Sequence, residues 1–265
     1  MSELNHGTER LDEAQDEPTA TSLGERILGV FTDPASTFAS VCALVSVPKP
    51  GESGKTSDKS KWWIPVIVAA IVAVAVAAYT VPNIVMPEQA ANIRAMVVER
   101  GGSPDEAERA IQMSSAIGIP MAILGAAVGT FVMLFVVAGI LHLFMRMVGG
   151  KGRFRHARVV VAYSMLVTVL GSIIKLPLMV ARKTILVETS PTIFFRSLEP
   201  SDRMYRVLSG FDVFTIWWIV LLFIGLAIGY RVSRGKAAIV VVVLWLLLTL
   251  LSSFMPQGGF AGGPS

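Results

Sequence analysis

Residues 62–85 read WWIPVIVAAIVAVAVAAYTVPNIV, a run without a single charged side chain. An α-helix needs ~20 apolar residues to cross a ~30 Å hydrocarbon layer, and this run supplies them. In lipid every backbone N–H must be satisfied within the segment, so the run is a helix. Four further stretches repeat the pattern, at residues 114–145, 159–180, 213–230 and 237–255. The fold class that follows is an all-α integral membrane protein with five transmembrane helices.

Composition points the same way. With 53% hydrophobic residues and a mean hydropathy of +0.64, the chain of 265 residues is no ordinary soluble globule. Its net charge of +4 sits in loops, where Lys and Arg report membrane orientation, and no nucleic-acid partner is expected. Cys42 is the only cysteine, which excludes an intramolecular disulfide, and nothing suggests a cysteine metal site. Neither a signal-peptide pattern nor a lipidation motif is read at the ends, so insertion is expected to rely on the first span.

The basic residues cluster in three short segments: Lys49, Lys55, Lys59 and Lys61; Arg146, Lys151, Arg153, Arg155 and Arg158; and Arg231, Arg234 and Lys236. The alternate loops, 86–113 and 181–212, are longer and mix Arg with Glu and Asp. The positive-inside rule then puts the N-terminus in the cytoplasm and the C-terminus outside.

Outside the spans the chain divides as follows. Residues 1–21 are acidic, lack aromatics and are expected to be disordered. Ser22 and Glu25 form a capping box opening a short helix, and Asp33 with Pro34 opens a second that carries Phe38, Val41, Cys42 and Val45 at helical spacing. Both are too short to span. Residues 22–46 are read as interfacial amphipathic helices, the alternative being packing on the cytoplasmic loops. Residues 47–61 form a Pro/Gly/Ser/Lys-rich linker, and 256–265 a Gly/Pro-rich tail. The first outer loop reads as a helical hairpin, stopped at Gly101-Gly102 and restarted by Ser103, with Pro120 expected to kink or reset the following helix.

Chemistry-bearing motifs are few. Gly51–Thr56 (GESGKT) imitates a phosphate-binding loop, but the first glycine of that motif falls on Lys49, and no strand precedes it. The histidines, His6, His142 and His156, make no metal-binding pair, and no GxSxG nucleophile elbow is present. No cofactor or catalytic residue is assigned. No Asp or Glu lies inside a span, which disfavours an ion-coupled transporter; Lys175, near the outer end of span three, is placed to snorkel to the interface. Small residues four apart, Gly125 and Gly129 in span two and Gly225 and Gly229 in span four, predict close helix packing or a homo-oligomeric face.

Three segments in register carry a family resemblance: Phe31-Thr32-Asp33-Pro34 with Thr37-Phe38; Gly149-Gly150-Lys151-Gly152 with Phe154 and residues 159–164 (VVVAYS); and residues 211–217 (FDVFTIW) leading through Gly225 to residues 233–238 (SRGKAA). The chain resembles the YIP family, the Ypt/Rab-interacting membrane proteins, in its bacterial branch. The resemblance implies five transmembrane helices, a cytoplasmic N-terminus and a bacterial inner-membrane setting. Eukaryotic members bind Rab-type GTPases, but residues 1–21 lack the Asp-Leu-Tyr-Gly-Pro motif of several of them, so GTPase binding is not carried over.

The expected function is therefore a non-enzymatic membrane protein that organises lipid or partner proteins through its cytoplasmic face. The candidate surface comprises Asp33, Pro34, Phe38, Lys151, Arg153, Arg155, Arg158, Arg231, Arg234 and Lys236. Membrane lipids, other membrane proteins or further copies of the chain are the expected partners. The alternative is a transporter or channel component whose polar path would run past Ser164, Thr168 and Ser172.

Overall fold

The computed structural model describes residues 22–45, 60–185, 192 and 202–254, and its regular elements there are helices throughout. The acidic tail, the phosphate-loop look-alike with most of the linker, most of residues 186–201 and the C-terminal tail lie outside the described residues. In chain order come α1 (Leu23–Thr32), α2 (Pro34–Ala43), α3 (Trp63–Thr80), α4 (Met86–Glu99), α5 (Pro104–Met147), α6 (Phe154–Arg182), α7 (Arg203–Ser209), α8 (Val213–Tyr230) and α9 (Arg234–Phe254). Among the described residues, five helical segments are long and apolar enough to cross a membrane: Trp63–Glu99, Pro104–Met147, Phe154–Arg182, Val213–Tyr230 and Arg234–Phe254. The five-span architecture read from hydropathy is the architecture observed.

The first two spans run well past the lengths read from hydropathy. Pro82 has no N–H to give the ladder, yet it does not end α3. A single π turn, Val81–Val85, widens around it, and the Met86 N–H reaches back to the Val81 carbonyl, so the chain continues into α4. The hairpin then turns at Gly101, whose φ of +74° favours glycine, with the Gly102 N–H on the Val97 carbonyl at 2.9 Å. Its second arm, α5, opens with the expected capping box between Ser103 and Glu106 and runs 44 residues through Pro120. At 1.5 Å per residue α5 is about 66 Å long, roughly twice the hydrocarbon thickness. Much of α4 and the first turns of α5 therefore project beyond the bilayer, bridged by an exposed Arg94–Glu108 ion pair at 3.3 Å.

Within the membrane α6 is the centre: 56% of its apolar window is buried against other helices, against 11% for α5. It contacts α3, α5 and α8. Lipid is as apolar as leucine, so close fit and hydrogen bonds, rather than removal of apolar surface from water, hold such helices together. Gly171 shows the fit: a Cβ there would sit 2.8 Å from the Phe214 ring. Buried Tyr163 supplies a hydrogen bond, donating to the Ser60 carbonyl at 2.9 Å and pinning the start of α3 to α6.

Lys175 corrects the snorkelling expectation. Its Nζ donates to Asp212 Oδ2 at 2.7 Å, with the two side chains only 23% and 10% exposed. Asp212 is the N-cap of α8, its other oxygen accepting from the Phe214 N–H at 2.8 Å. The partner was invisible to a search inside spans because it sits one residue before one.

The two short helices ahead of α3 turn their apolar faces onto the bundle. Val30, Phe38, Val41 and Val45 are buried in the same core as α6 and α8. Phe38 lies beside Gly225 and Cys42 beside Gly229, so α2 runs parallel to the last turns of α8. The Phe31 ring meets Trp217 edge-on at 5.6 Å.

Candidate functional site

One end of the bundle gathers the C-terminus of α2, the α5–α6 loop, the start of α6 and the α8–α9 turn. The loop's conformation is set by three glycines, one by its backbone angle and two by close contacts. Gly149 adopts φ +87°, a left-handed turn that ends α5. A Cβ on Gly150 would lie 2.6 Å from the Met145 carbonyl, and one on Gly152 2.7 Å from the Gly229 carbonyl and the Tyr230 ring. Hydrogen bonds then fix it: Gly150 N–H to the Met145 carbonyl and Lys151 N–H to the Tyr230 carbonyl, each 2.9 Å, with Arg146 Nη1 donating to the Gly150 carbonyl at 3.1 Å. Tyr230 is buried under this loop, its hydroxyl bonded to His142 Nδ1 and donating to the Arg153 carbonyl at 3.4 Å.

Above that platform a cavity of about 470 Å³ opens, lined by Cys42, Ala43, Val45, Lys151, Gly152, Arg153, His156, Gly229 and Arg231. Three of these side chains are cationic and none is acidic. Arg153 is the N-cap of α6, a position where an acceptor side chain is usual. His156 compensates, its Nδ1 accepting from the Arg153 N–H at 3.0 Å. The positive end of a 29-residue helix dipole thus faces the same space. Arg231 ends α8 at φ +55°, where glycine or asparagine is the commoner choice. Burial pushes the Cys42 thiol up to about 12, so it stays protonated and is no nucleophile at neutral pH.

The residues singled out from sequence fall into distinct places. Lys151, Arg153 and Arg231 converge on the cavity. Arg155 lies beside it in sequence but does not line it, and Arg158 is half-buried with its guanidinium 4.3 Å over the Trp62 ring. Arg234 and Lys236 are exposed at the start of α9. Asp33 caps α2 by accepting from the Ser36 N–H at 3.2 Å, Pro34 is the first helical residue, and Phe38 is wholly buried. Gly225 and Gly229 receive α2 and α6: a Cβ on Gly225 would meet Val160 at 2.6 Å, and one on Gly229 would meet His156 at 3.2 Å and Cys42 at 3.3 Å. At Gly125 and Gly129 nothing among the described residues lies within 4 Å of such a Cβ. Sequence reasoning missed Cys42 and His156 as lining residues, because only the seating of α2 on α8 brings them together.

The Yip1 domain family model matches residues 28–255, from α1 through the last span. Searches of curated proteins and of solved structures return no match. That continuous match, laid over five membrane-crossing helices, places the chain in the Yip1 family.

Proposed function

We propose that this is a non-enzymatic scaffold of a bacterial inner membrane, with its basic end in the cytoplasm and its C-terminus outside, organising anionic lipid and through it partner proteins. One observation carries the reading: Lys61, Lys151, Arg153, Arg155, Arg231, Arg234 and Lys236 gather at a single end of the bundle, while the opposite end mixes Arg with Glu and Asp. Each basic residue near an anionic surface contributes about 1 kcal/mol. A transport path past Ser164, Thr168 and Ser172 is less well supported. Thr168 and Ser172 hydroxyls donate to carbonyls of their own helix at 2.7 and 2.9 Å, and Ser164 is wholly buried.

The test is lipid preference after reconstitution into vesicles of phosphatidylcholine with or without phosphatidylglycerol. The intact protein should enrich phosphatidylglycerol around itself, read by native mass spectrometry of retained lipid. The triple variant Arg155→Gln, Arg234→Gln, Lys236→Gln, which leaves the cavity lining intact, should lose part of that enrichment. No anionic preference in the intact protein would end the proposal.

A further inference from the structure

We infer that the cavity between α2, the α5–α6 loop and the α8–α9 turn is a discrete binding site for a phosphate group, carried by a lipid headgroup or free in solution. This deepens the surface reading above and rests on it. A charged surface needs only exposed lysines and arginines in any arrangement. Here three cationic side chains are carried on backbone that is held in place before any ligand arrives.

Lys151 and Arg153 flank Gly152, which admits no side chain because Gly229 and Tyr230 press against it. Their loop is tied to the bundle by the Lys151 N–H to Tyr230 carbonyl bond and by Arg146 on Gly150. Arg231 reaches the same space from a left-handed residue, a conformation in which a side chain other than glycine's is strained.

Two helix ends that would repel an anion are partly capped at the site. α8 points its negative end toward the cavity, but three of its last four carbonyls accept hydrogen bonds: Ala227 from the Val232 N–H, Ile228 from the Arg231 N–H and Tyr230 from the Lys151 N–H. The C-terminus of α2 is partly capped too, with the Leu44 N–H on the Ser40 carbonyl and the Val45 N–H on that of Cys42. What remains is the positive start of α6, whose dipole favours an anion. At about 470 Å³ the cavity is in the size range of small-ligand sites, roomier than a bare phosphate needs and suited to a phosphate with a substituent. Arginine pairs bidentately with phosphate oxygens and lysine acts as a point charge, so the lining suits a phosphate that bears more than one negative charge.

The experiment uses the full chain in mild detergent with three proteins: the intact chain, the cavity variant Lys151→Gln with Arg231→Asn, and the variant Arg234→Gln with Lys236→Gln. Asparagine is chosen at position 231 because it tolerates the left-handed backbone. The second variant removes the same number of charges from the same end without touching the cavity. Retention of phosphatidic acid over phosphatidylcholine is read by native mass spectrometry, and the thermal midpoint is read in sodium phosphate against sodium chloride at equal ionic strength. The cavity variant should retain phosphatidic acid about 10-fold less than the intact chain, from charge contributions near a surface, while the other variant falls much less. If phosphate itself fills the site, it raises the midpoint of the intact chain by about 2 °C or more, and not that of the cavity variant.

A difference in lipid retention alone makes the source a headgroup; a midpoint shift adds the free anion. Equal losses from the two variants, with no phosphate shift, overturn the discrete site and leave the surface reading standing. No anionic preference in any protein overturns both. Should the cavity variant not fold, Arg153→Gln carries the same test, because the Arg153 hydrogen bonds given above are made by its main chain.

Discussion

Gly225 has room for a hydrogen atom and little else. A methyl group there would meet Val160 Cγ1 at 2.6 Å and Phe38 at 3.1 Å, and a β-branched valine on a helix has one strongly preferred rotamer, so it cannot swing aside. Gly225→Ala should therefore destabilise by about 1–3 kcal/mol, the usual cost of overpacking, and loosen α2 from α8. Gly125→Ala, with open space at its Cβ, should be neutral or gain up to about 1 kcal/mol of helix propensity. Thermal midpoints in detergent decide it: equal shifts in one direction would show that the two glycines are not in different surroundings. The ion pair at the other end gives a second contrast. Asp212→Asn keeps an oxygen for the Phe214 N–H but loses the charge facing Lys175; Asp212→Ala loses both. The alanine variant should fall further than the asparagine variant by about 1 kcal/mol, the usual value of an N-cap. Identical midpoints would show that the cap contributes nothing.

α2 depends on its cap in a way that pH can read. The Asp33 carboxylate accepts the Ser36 N–H, and that bond holds its pKa below the ordinary aspartate value. A depressed folded-state pKa contributes stability that is present above the unfolded value of ~3.9 and is lost as pH falls through the folded value. The midpoint of the intact protein should therefore drop on acidification below about pH 4 more than that of Asp33→Asn, which caps without titrating. Parallel curves for the two proteins would remove Asp33 from the account. Caps and spans of this kind were legible in the sequence because each rests on local spacing: Ser22 with Glu25, Ser103 with Glu106, and runs of ~20 apolar residues. Hydropathy alone did not give the helix length, since it falls where α5 leaves the membrane while the hydrogen-bond ladder does not; the capping box at Ser103 marked the start of α5. Pro120 read as a kink or a reset, yet α5 continues through it, and Pro82, inside the first apolar run, is absorbed by a π turn. At the candidate site the basic loops were visible as charge, but which of their residues converge depends on α2 lying against Gly225 and Gly229. No local pattern encodes that contact. Arg158 illustrates the limit: in sequence it belongs with Arg153 and Arg155, whereas in the fold it is stacked on Trp62.

For the molecule as a whole, asymmetry of charge along the bundle axis is the property from which orientation follows. The starts of α6 and α9 and the ends of α5 and α8 share one end, and the short connections there are basic. At the other end the α4–α5 hairpin carries Glu88, Glu99, Asp105, Glu106 and Glu108 among its arginines. Charge in short loops biases which end stays in the cytoplasm. The chain's single cysteine makes this directly measurable: Cys42 is buried and protonated, and Cys42→Ser gives a background without thiols. On that background Lys236→Cys and Glu99→Cys place one exposed thiol at each end. In spheroplasts a membrane-impermeant maleimide should label the thiol at position 99 at once and that at position 236 only after permeabilisation. The reverse pattern would put the basic end outside, where anionic cytoplasmic lipid cannot reach it, and would remove the physical basis for the lipid-organising role. Labelling of both thiols in intact spheroplasts would mean that the two ends share a side or that the chain inserts both ways. Either result would require an arrangement other than five crossings in one orientation.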